Sequence, residues 1–437
     1  MKFSASLLLS ITLSFAGTVH AEKVSSDKEN HDIMVGFPPS PQSQVTFANY
    51  RDYPMSKWSF NNAGAPFNLV MIPRSGQIDF FKENSKGEIG KKRIVLSKGR
   101  EDTVENVFQK NDADSIVLIK DNEIKYEQYW QYSDKDRQHI WFSATKSLVS
   151  TALGILVAQG KVDIQASPAK YIPELKNSGF ARTTIQNVLN HSSSIMFKEN
   201  YTDLNSDFLK YYAPALNMAW VPGARDAQPD KTKIYGTYDF LSHFIKMDES
   251  AKPGSVFDYN SANADVIGWL ISRISGMPLN DFIAKNIWSK LHMEHDATMA
   301  VDRAYMPVAT AGMNSTTRDA ARFGQMILNN GKYKGEQIVP AQWLKQITQL
   351  TDTDKKKMLT NPKYKNESWQ AYKNMWWVLD DEKGEFSAVG IHGQVIYINQ
   401  SKNVVAAFFS SQVKASAANN QQFSDKLTAV RQLALQL

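Results

Sequence analysis

The order of secondary-structure patterns constrains the fold most, because strand patterns near both ends of the chain enclose a long helical stretch. Residues 114–132 contain two β-rich runs around Asp121-Asn122, a pair typical of a two-residue hairpin turn. Three further strand patterns lie between residues 376 and 409. Residues from about 165 to 300 alternate helical segments with Pro and Gly breaks. This order predicts an α+β fold, with an antiparallel sheet built from both ends, flanking helices and a helical domain.

The helices are predicted from apolar periodicity and from the residues that end each pattern. The pattern over residues 144–160 is apolar almost all round and ends at Gly160, which indicates a buried helix. The other predicted helices span 184–190, 238–247, 262–275, 279–291, 317–328 and 420–435.

The first hundred residues are expected to lie outside the main domain. Residues 1–21 have the charged start, short apolar run and small cleavage-site residues of a signal peptide. We therefore expect export to a bacterial periplasm, with no stable membrane insertion after cleavage. Residues 22–100 are predicted to form an N-terminal arm and the start of the α/β region. The main domain is then expected over residues 101–437, with the helical part as an insert.

Composition excludes several classes of protein. The 437 residues contain no Cys, which excludes a disulfide scaffold, a zinc-thiolate site and a cysteine nucleophile. The 50 Lys and Arg exceed the 44 Asp and Glu by a small margin that is spread along the chain, so we expect no nucleic-acid partner. No Gly-rich dinucleotide or phosphate loop and no His-Glu-x-x-His motif is present, and we expect neither cofactor nor metal.

One Ser-x-x-Lys tetrapeptide stands at a position where it could act chemically. Four serines have Lys three residues later, namely Ser25, Ser143, Ser167 and Ser411, but only Ser143-Ala144-Thr145-Lys146 opens a buried helix. Residues i and i+3 share a helix face, so Lys146 can reach the Ser143 hydroxyl near the positive end of the helix. Burial would lower the lysine pKa and let it act as a base. The alternative is a helix-capping serine beside a surface lysine.

A second motif strengthens the chemical interpretation. Tyr259 lies in a turn just before the apolar helix that begins near residue 262. A Ser-x-x-Lys at the head of a buried helix, followed by this tyrosine turn and then a strand with a glycine, resembles serine hydrolases related to class C β-lactamases and penicillin-binding proteins. Residues 184–194 and 312–324 resemble two further segments of that family, so the resemblance covers nearly the whole mature chain. Short motifs at 37–39, 47–50, 58–60 and 259–266 are most similar to the 6-aminohexanoate-dimer hydrolase and family VIII esterase branch.

The resemblance implies a β-lactamase/transpeptidase-like fold and a set of site residues. It implies Ser143 as nucleophile, Lys146 as base and Tyr259 as proton relay, with backbone N–H groups of Ser143 and Ile391 as the oxyanion hole. Supporting or substrate-binding positions would be Asn263, Tyr201, Gly390 and Trp376. Of the adjacent Trp376 and Trp377, at least one should be core because neighbouring strand residues face opposite sides, and the pattern leaves open which one lines the cleft.

Departures from the family pattern bear on the substrate. Ala388 stands where lactam-binding relatives have a cationic residue, which argues against strong β-lactamase activity. We expect a small-molecule amide or ester substrate. Three alternatives of the same fold remain. The first is a carboxylesterase, and the second is a penicillin-binding protein, a D-Ala-D-Ala carboxypeptidase or a β-lactamase-like protein. The third is a non-catalytic ligand receptor. The pattern does not predict an oligomeric state. His191 is expected to have a structural role.

Overall fold

The computed structural model describes residues 32–85, 87–201, 203, 205–218, 235–365 and 367–437. The predicted signal peptide at residues 1–21 lies outside these ranges. Within them, no helix combines the length and the apolar character needed to cross a membrane.

Most strands lie towards the two ends of the chain, as predicted, but three short strands lie within the stretch of about 165–300 that was predicted to be helical. Their bounds are β1 Leu69–Ile72, β2 Lys82–Glu83, β3 Arg93–Val95, β4 Glu101–Thr103, β5 Ala113–Lys120, β6 Glu123–Tyr129, β7 His139–Ile140, β8 Ile195–Met196, β9 Lys246–Met247, β10 Ala297–Ala300, β11 Met313–Ser315, β12 Lys332–Tyr333, β13 Glu336–Gln337, β14 Ala371–Lys373, β15 Trp376–Asp380, β16 Glu385–Gly390, β17 Gln394–Asn399 and β18 Val404–Ser410.

The largest sheet joins both ends of the chain, as predicted. Its eight strands lie in the order β14-β15-β16-β17-β18-β5-β6-β2. The C-terminal strand β18 pairs with β5 antiparallel, from Val404 opposite Lys120 to Ser410 opposite Ala113. The hairpin of β5 and β6 turns at Asp121 and Asn122, whose φ angles of 53° and 63° suit the primed turn that a two-residue hairpin favours.

This antiparallel sheet carries one parallel pairing, at its edge. The two-residue strand β2 pairs parallel with β6, with Lys82 opposite Glu123. So short a strand carries no alternation that a sequence pattern could reveal. A second sheet has the order β1-β10-β11-β7 and brings Ala297–Ala300, from the end of the predicted helical insert, beside Leu69–Ile72.

Helices cover the sheet and form the helical region. Their bounds are α1 Met55–Ser59, α2 Glu88–Lys91, α3 Val104–Lys110, α4 Thr145–Ala158, α5 Ile185–Leu189, α6 Ala213–Ala215, α7 Thr237–Asp239, α8 Ala262–Ser275, α9 Leu279–Asn286, α10 Thr317–Leu328, α11 Ala341–Thr348, α12 Asp352–Thr360 and α13 Gln421–Gln436. Short 3₁₀ helices span Ser97–Gly99, Phe142–Ala144, Pro168–Lys170, Pro173–Asn177, Gly179–Arg182, Trp288–Lys290 and Ile391–Gly393, and π helices span Phe208–Tyr212 and Phe240–Phe244.

The buried helix α4 matches its sequence pattern and sets the position of the site. Its first twelve residues are all buried, with Leu148, Val149 and Leu153 at 0% exposure, and the chain turns away at Gly160 with φ of 68°. The helix α8, which begins three residues after Tyr259, ends at Gly276 in the left-handed conformation that a glycine C-cap favours. The helices α4 and α8 pack against each other.

The helix predicted at 238–247 is only partly confirmed. The pattern at 238–247 gives the short α7 and a π helix, and then the strand β9, because Lys246 and Met247 pair with Met196 and Ile195.

The N-terminal arm packs on the body from residue 33 onward. Phe47, Tyr50 and Phe60 are buried, and the hydroxyl of Tyr50 donates to the carbonyl oxygen of Met218.

Candidate active site

Ser143 stands at the sharp turn that joins a short strand to the buried helix. The chain leaves β7 at Ile140 and enters α4 at Thr145. Between them Phe142 has φ of 43°, a left-handed conformation that is unusual for a bulky side chain and is often found at functional sites. The indole of Trp141 donates to the Ser315 hydroxyl at 2.9 Å and fixes one side of the turn. Ser143 is thereby presented, half-buried, at the head of α4.

Lys146 is buried beside this hydroxyl. Its Nζ donates to Ser143 Oγ at 2.8 Å and to the Thr310 carbonyl oxygen at 3.0 Å, and the residue is only 1% exposed. Burial lowers the pKa of Lys146 to about 8, against the opposing effect of the Glu199 and Asp265 carboxylates. About a tenth of the amine is then neutral at pH 7, compared with fewer than one in a thousand for an ordinary lysine. The residue can therefore accept a proton from Ser143 near neutral pH.

Tyr259 completes a three-residue cluster. Lys146 Nζ lies 5.2 Å from the centre of the Tyr259 ring, and the phenol is hydrogen-bonded to Ser143. Burial raises the pKa of Tyr259 well above its usual value, Glu199 raises it further, and the bond to Ser143 lowers it. The hydroxyl consequently keeps its proton at neutral pH and is available as an acid.

Glu199 connects the loop after β8 to the tyrosine turn. Its carboxylate accepts hydrogen bonds from the Ser261 backbone N–H at 2.6 Å and from the Ser261 hydroxyl at 2.8 Å. The hydroxyl of Tyr201 also donates to it. Glu199 therefore fixes Tyr201 and Ser261 in one arrangement and places a negative charge near the cluster.

A buried carboxylate lies on the other side of Lys146. Asp265 is 3% exposed, and its Oδ1 accepts the Thr310 backbone N–H at 3.0 Å while Oδ2 accepts the Tyr212 hydroxyl. Burial raises the pKa of Asp265, and the bond from Tyr212 and the charge of Lys146 oppose that rise. Thr310 thus links the carboxylate to the lysine. Its carbonyl oxygen accepts a hydrogen bond from Lys146 Nζ, and its backbone N–H donates one to Asp265 Oδ1.

The end of β16 approaches the turn that carries Ser143. A Cβ atom at Gly390 would lie only 2.3 Å from the Trp141 carbonyl oxygen, so this contact requires glycine. The next residue, Ile391, lines the cleft together with Ser143. The close approach brings the backbone of residue 391 beside the start of α4, where an oxyanion hole of two backbone N–H groups could form.

The cleft has two parts that meet at Ser143, Tyr201 and Ile391. One part is lined by apolar and aromatic side chains that include Phe208, Leu216 and Met218, with Arg51 and Glu199 also present. The other is lined by Tyr259, Tyr364, Trp369 and Trp377, with Lys363. The volumes of the two parts are about 440 and 530 Å³, including the space that is open to solvent. An elongated substrate could extend into both parts with its reacting carbonyl at Ser143.

Comparison with known proteins identifies the family of this site. Residues 104–428 match the family model described as Beta-lactamase, and this range contains most of the chain. The chain belongs to the beta-lactamase family. It is a serine hydrolase of that family, and the resemblance expected from its motifs is confirmed.

The relatives include proteins of the branch expected from the sequence. The chain is 26% identical over 375 residues to a 6-aminohexanoate-dimer hydrolase of Paenarthrobacter ureafaciens, with 86% of this chain and 90% of the relative covered. A solved structure from Bacillus anthracis, described as a candidate 6-aminohexanoate-dimer hydrolase, superposes with a TM-score of 0.80 at 26% identity, covering 90% of this chain and 97% of that one.

A third similarity concerns the fold alone. EstCE1, described as a hydrolase with promiscuous acyltransferase activity, superposes with a TM-score of 0.57 at 13% identity, covering 75% of this chain and 97% of the other. Together with the family match, these structures confirm the β-lactamase/transpeptidase-like fold.

Most of the predicted site residues of this beta-lactamase family member lie around one cleft. Ser143, Lys146 and Tyr259 are in mutual contact. Tyr201, Gly390 and Ile391 line the cleft around them. Asn263 is fully buried at the start of α8, where its side-chain oxygen accepts the Ser193 hydroxyl at 2.8 Å. It therefore ties the helix that follows Tyr259 to the loop at residue 193.

The assignment of Trp376 to the cleft is wrong. Trp376 is 1% exposed and packs in the core, with ring centres 5.3 Å from Phe386 and 6.3 Å from Phe323. Its neighbour Trp377 points to the opposite side of β15, lines the cleft and stacks on Tyr259 at 5.6 Å. The alternation of strand residues requires this separation but does not say which residue points inward.

The sequence interpretation gave no role to Glu199 or Asp265. One signal was available for Asp265, since an acidic residue inside the apolar start of a helix rarely becomes buried without a partner. No comparable signal existed for Glu199, whose contacts with Ser261 and Tyr201 depend on how the loop folds.

Proposed function

We propose that this protein cleaves an amide or ester bond in a small molecule through an acyl-enzyme on Ser143, in the manner of a 6-aminohexanoate-dimer hydrolase. The observation that carries the proposal is the 2.8 Å hydrogen bond between Ser143 Oγ and the buried amine of Lys146, next to the protonated phenol of Tyr259. The similarity to the Paenarthrobacter ureafaciens hydrolase over 86% of the chain supports the same branch.

The first half of the reaction forms the acyl-enzyme. Ser143 Oγ attacks the carbonyl carbon while its proton passes to the neutral amine of Lys146. Negative charge develops on the carbonyl oxygen, which the backbone N–H groups of Ser143 and Ile391 would stabilise. The bond to the leaving nitrogen or oxygen then breaks as Tyr259 donates its proton to that atom. The Lys146 ammonium returns a proton to Tyr259.

The second half releases the acid. Water takes the place of the leaving group and attacks the acyl carbon as it gives a proton to the Tyr259–Lys146 pair. The Ser143 ester bond breaks, and Ser143 Oγ regains a proton from Lys146. No proton is gained or lost by the enzyme over the cycle.

The position of Tyr259 orients the substrate in the cleft. Because Tyr259 donates to the leaving group, the part lined by Tyr364, Trp369 and Trp377 takes the amine or alcohol side. The part that contains Phe208, Leu216 and Met218 takes the acyl side. The apolar lining suits an extended methylene chain. Kinetics on amides lengthened on one side at a time would test this orientation.

Cleavage of β-lactams is not favoured by this cleft. Ala388, which stands at the position of the cationic residue of lactam-binding relatives, is fully buried in β16 and carries no charge. A carboxylesterase would use the same three residues, so amide and ester substrates must be compared directly.

Labelling with a fluorophosphonate probe tests the nucleophile. Ser143→Ala should abolish labelling, and Ser167→Ala is a matched control, since Ser167 also precedes a lysine by three residues but caps a 3₁₀ helix. Equal labelling of the wild type and Ser143→Ala would rule out the assignment. Assays with short p-nitrophenyl esters, linear amides and a chromogenic cephalosporin then define the substrate class. Fast cephalosporin turnover would contradict the role given to Ala388.

We also propose that the protein is exported to the periplasm. The support is the charge and apolar pattern of residues 1–21. Expression of the full chain in a Gram-negative host, followed by fractionation and N-terminal sequencing, tests it. Cleavage after Ala21 and recovery in the periplasmic fraction are the expected results, and an intact Met1 on the cytoplasmic protein would contradict export.

A further inference from the structure

The turn that carries Tyr259 is anchored on both sides by one residue. The backbone N–H of Asp258 donates to the carbonyl oxygen of His191 at 2.8 Å. The backbone N–H of Asn260 donates to the ring Nδ1 of the same histidine at 3.0 Å. Tyr259 therefore lies between two residues whose backbones are held by His191, which restricts how the phenol can move relative to Ser143.

His191 is itself held firmly. It is fully buried, and its own N–H donates to the Val188 carbonyl oxygen at 3.1 Å. The imidazole centre lies 4.8 Å from the Tyr259 ring and 4.7 Å from the Tyr372 ring. The histidine thus contacts the tyrosine through its ring as well as through the backbone on either side.

The hydrogen bonds fix the protonation state of the ring. A backbone N–H can only donate, so Nδ1 must carry a lone pair, and the single proton of the neutral ring is on Nε2. Nε2 is buried and has no hydrogen-bond partner among the described residues. Burial and the charge of Lys146 keep the pKa of His191 well below its usual value. An imidazolium would lose the bond from Asn260 N–H.

We propose that His191 is a positioning residue for Tyr259. The Nδ1 acceptor of His191 holds the phenol of Tyr259 in the orientation needed to protonate the leaving group. This inference rests on the proposed function of Tyr259. It differs from a general stabilising role because it concerns one step, proton transfer to the leaving atom.

The leaving group distinguishes these two roles. An amine is a poor leaving group and needs the proton from Tyr259, whereas p-nitrophenolate departs without protonation. Loss of orientation at Tyr259 should therefore slow linear amides much more than p-nitrophenyl esters. A general loss of folded protein would slow both substrates by the same factor.

Three substitutions at His191 test the acceptor. His191→Leu removes it, His191→Asn places an amide oxygen near the position of Nδ1, and His191→Gln places one near Nε2. His243→Asn is a matched control at an exposed histidine. We expect His191→Leu to lower kcat on a linear amide by about 100-fold, the usual scale of acid catalysis, with KM changed little. The p-nitrophenyl ester should lose less than about tenfold in the same variant.

The conservative variants decide the outcome if His191→Leu does not fold. His191→Asn should retain amide turnover within about tenfold of the wild type, since an acceptor is present, and should exceed His191→Gln. Equal turnover by the Asn and Gln variants, or equal loss on amide and ester in any folded variant, would overturn the inference.

Fluorophosphonate labelling of Ser143 in each variant keeps the two proposals separate. Labelling that persists in Ser143→Ala refutes the proposed function, whereas a failed His191 series with normal Ser143 labelling refutes only the positioning role.

Discussion

Lys146 Nζ lies 2.8 Å from Ser143 Oγ while the lysine is 1% exposed, so a buried base stands beside a nucleophile that lines the cleft. The spacing of three residues places both side chains on the same face at the head of α4. Burial is what makes the pair chemically useful, because it lowers the pKa of Lys146 to about 8.

We predict that kcat/KM rises with pH as Lys146 loses its proton. The base form is the neutral amine, so activity should be low well below pH 8, reach half its maximum near that value and level off above about pH 9. No decline from Tyr259 is expected in this range, because burial raises its pKa well above the usual value. A p-nitrophenyl ester assay between about pH 6 and 9.5, corrected with Ser143→Ala, measures this. Activity that is independent of pH, or that falls across this range, would contradict the role of Lys146.

We predict that Asp265→Asn moves this pH dependence to lower pH. The carboxylates of Asp265 and Glu199 favour the charged form of Lys146, whereas burial disfavours it. Removal of one anion should lower the pKa of Lys146 by about one unit. Tyr212→Phe provides a graded comparison, because it keeps the carboxylate and removes one hydrogen bond that lowers the pKa of Asp265. The midpoint of the kcat/KM profile should shift less in that variant, and an upward shift in Asp265→Asn would refute the coupling.

The parts of the site that the sequence could predict depend on local geometry. Ser143 and Lys146 are related by helix periodicity alone, and the hairpin at Asp121 and Asn122 is fixed by turn chemistry. Tyr259 came from the order of motifs along the chain, and it lies within the residues 104–428 that match the family model.

The parts that the sequence could not predict depend on tertiary contacts. The carboxylate of Glu199 meets Ser261 across 62 positions of sequence, and no periodicity encodes that contact. The edge strand Lys82–Glu83 is too short to show alternation. The alternation of side chains along a strand predicts that Trp376 and Trp377 face opposite sides of β15. Only the packing of β15 against Phe323 decides which of the two rings enters the core.

We predict that Gly390→Ala damages the oxyanion hole. The added Cβ would lie 2.3 Å from the Trp141 carbonyl oxygen and 3.0 Å from the Gln394 side chain, so the end of β16 must move away from Ser143. Displacement of the Ile391 N–H by this movement should lower kcat/KM by about 100-fold, the scale of a lost oxyanion donor. Gly87→Ala is a matched control, because a Cβ there meets no atom within 4 Å and the backbone has φ of −54°. A Gly390→Ala enzyme with wild-type kcat/KM would show that the close approach of β16 is not needed.

We predict that substitutions of the two adjacent tryptophans have separate effects. Trp376→Leu removes a ring that is 1% exposed between Phe323 and Phe386, and should lower the free energy of unfolding by about 3 kcal/mol, as for large-to-small core changes. Its KM should change little, because the ring does not reach the cleft. Trp377→Leu removes the surface stacked on Tyr259 at 5.6 Å, and should raise KM for amides with a large amine side more than for short p-nitrophenyl esters. Urea unfolding and steady-state kinetics on both variants measure the separation. A larger effect on KM from Trp376→Leu than from Trp377→Leu would reverse the assignment of the two faces of β15.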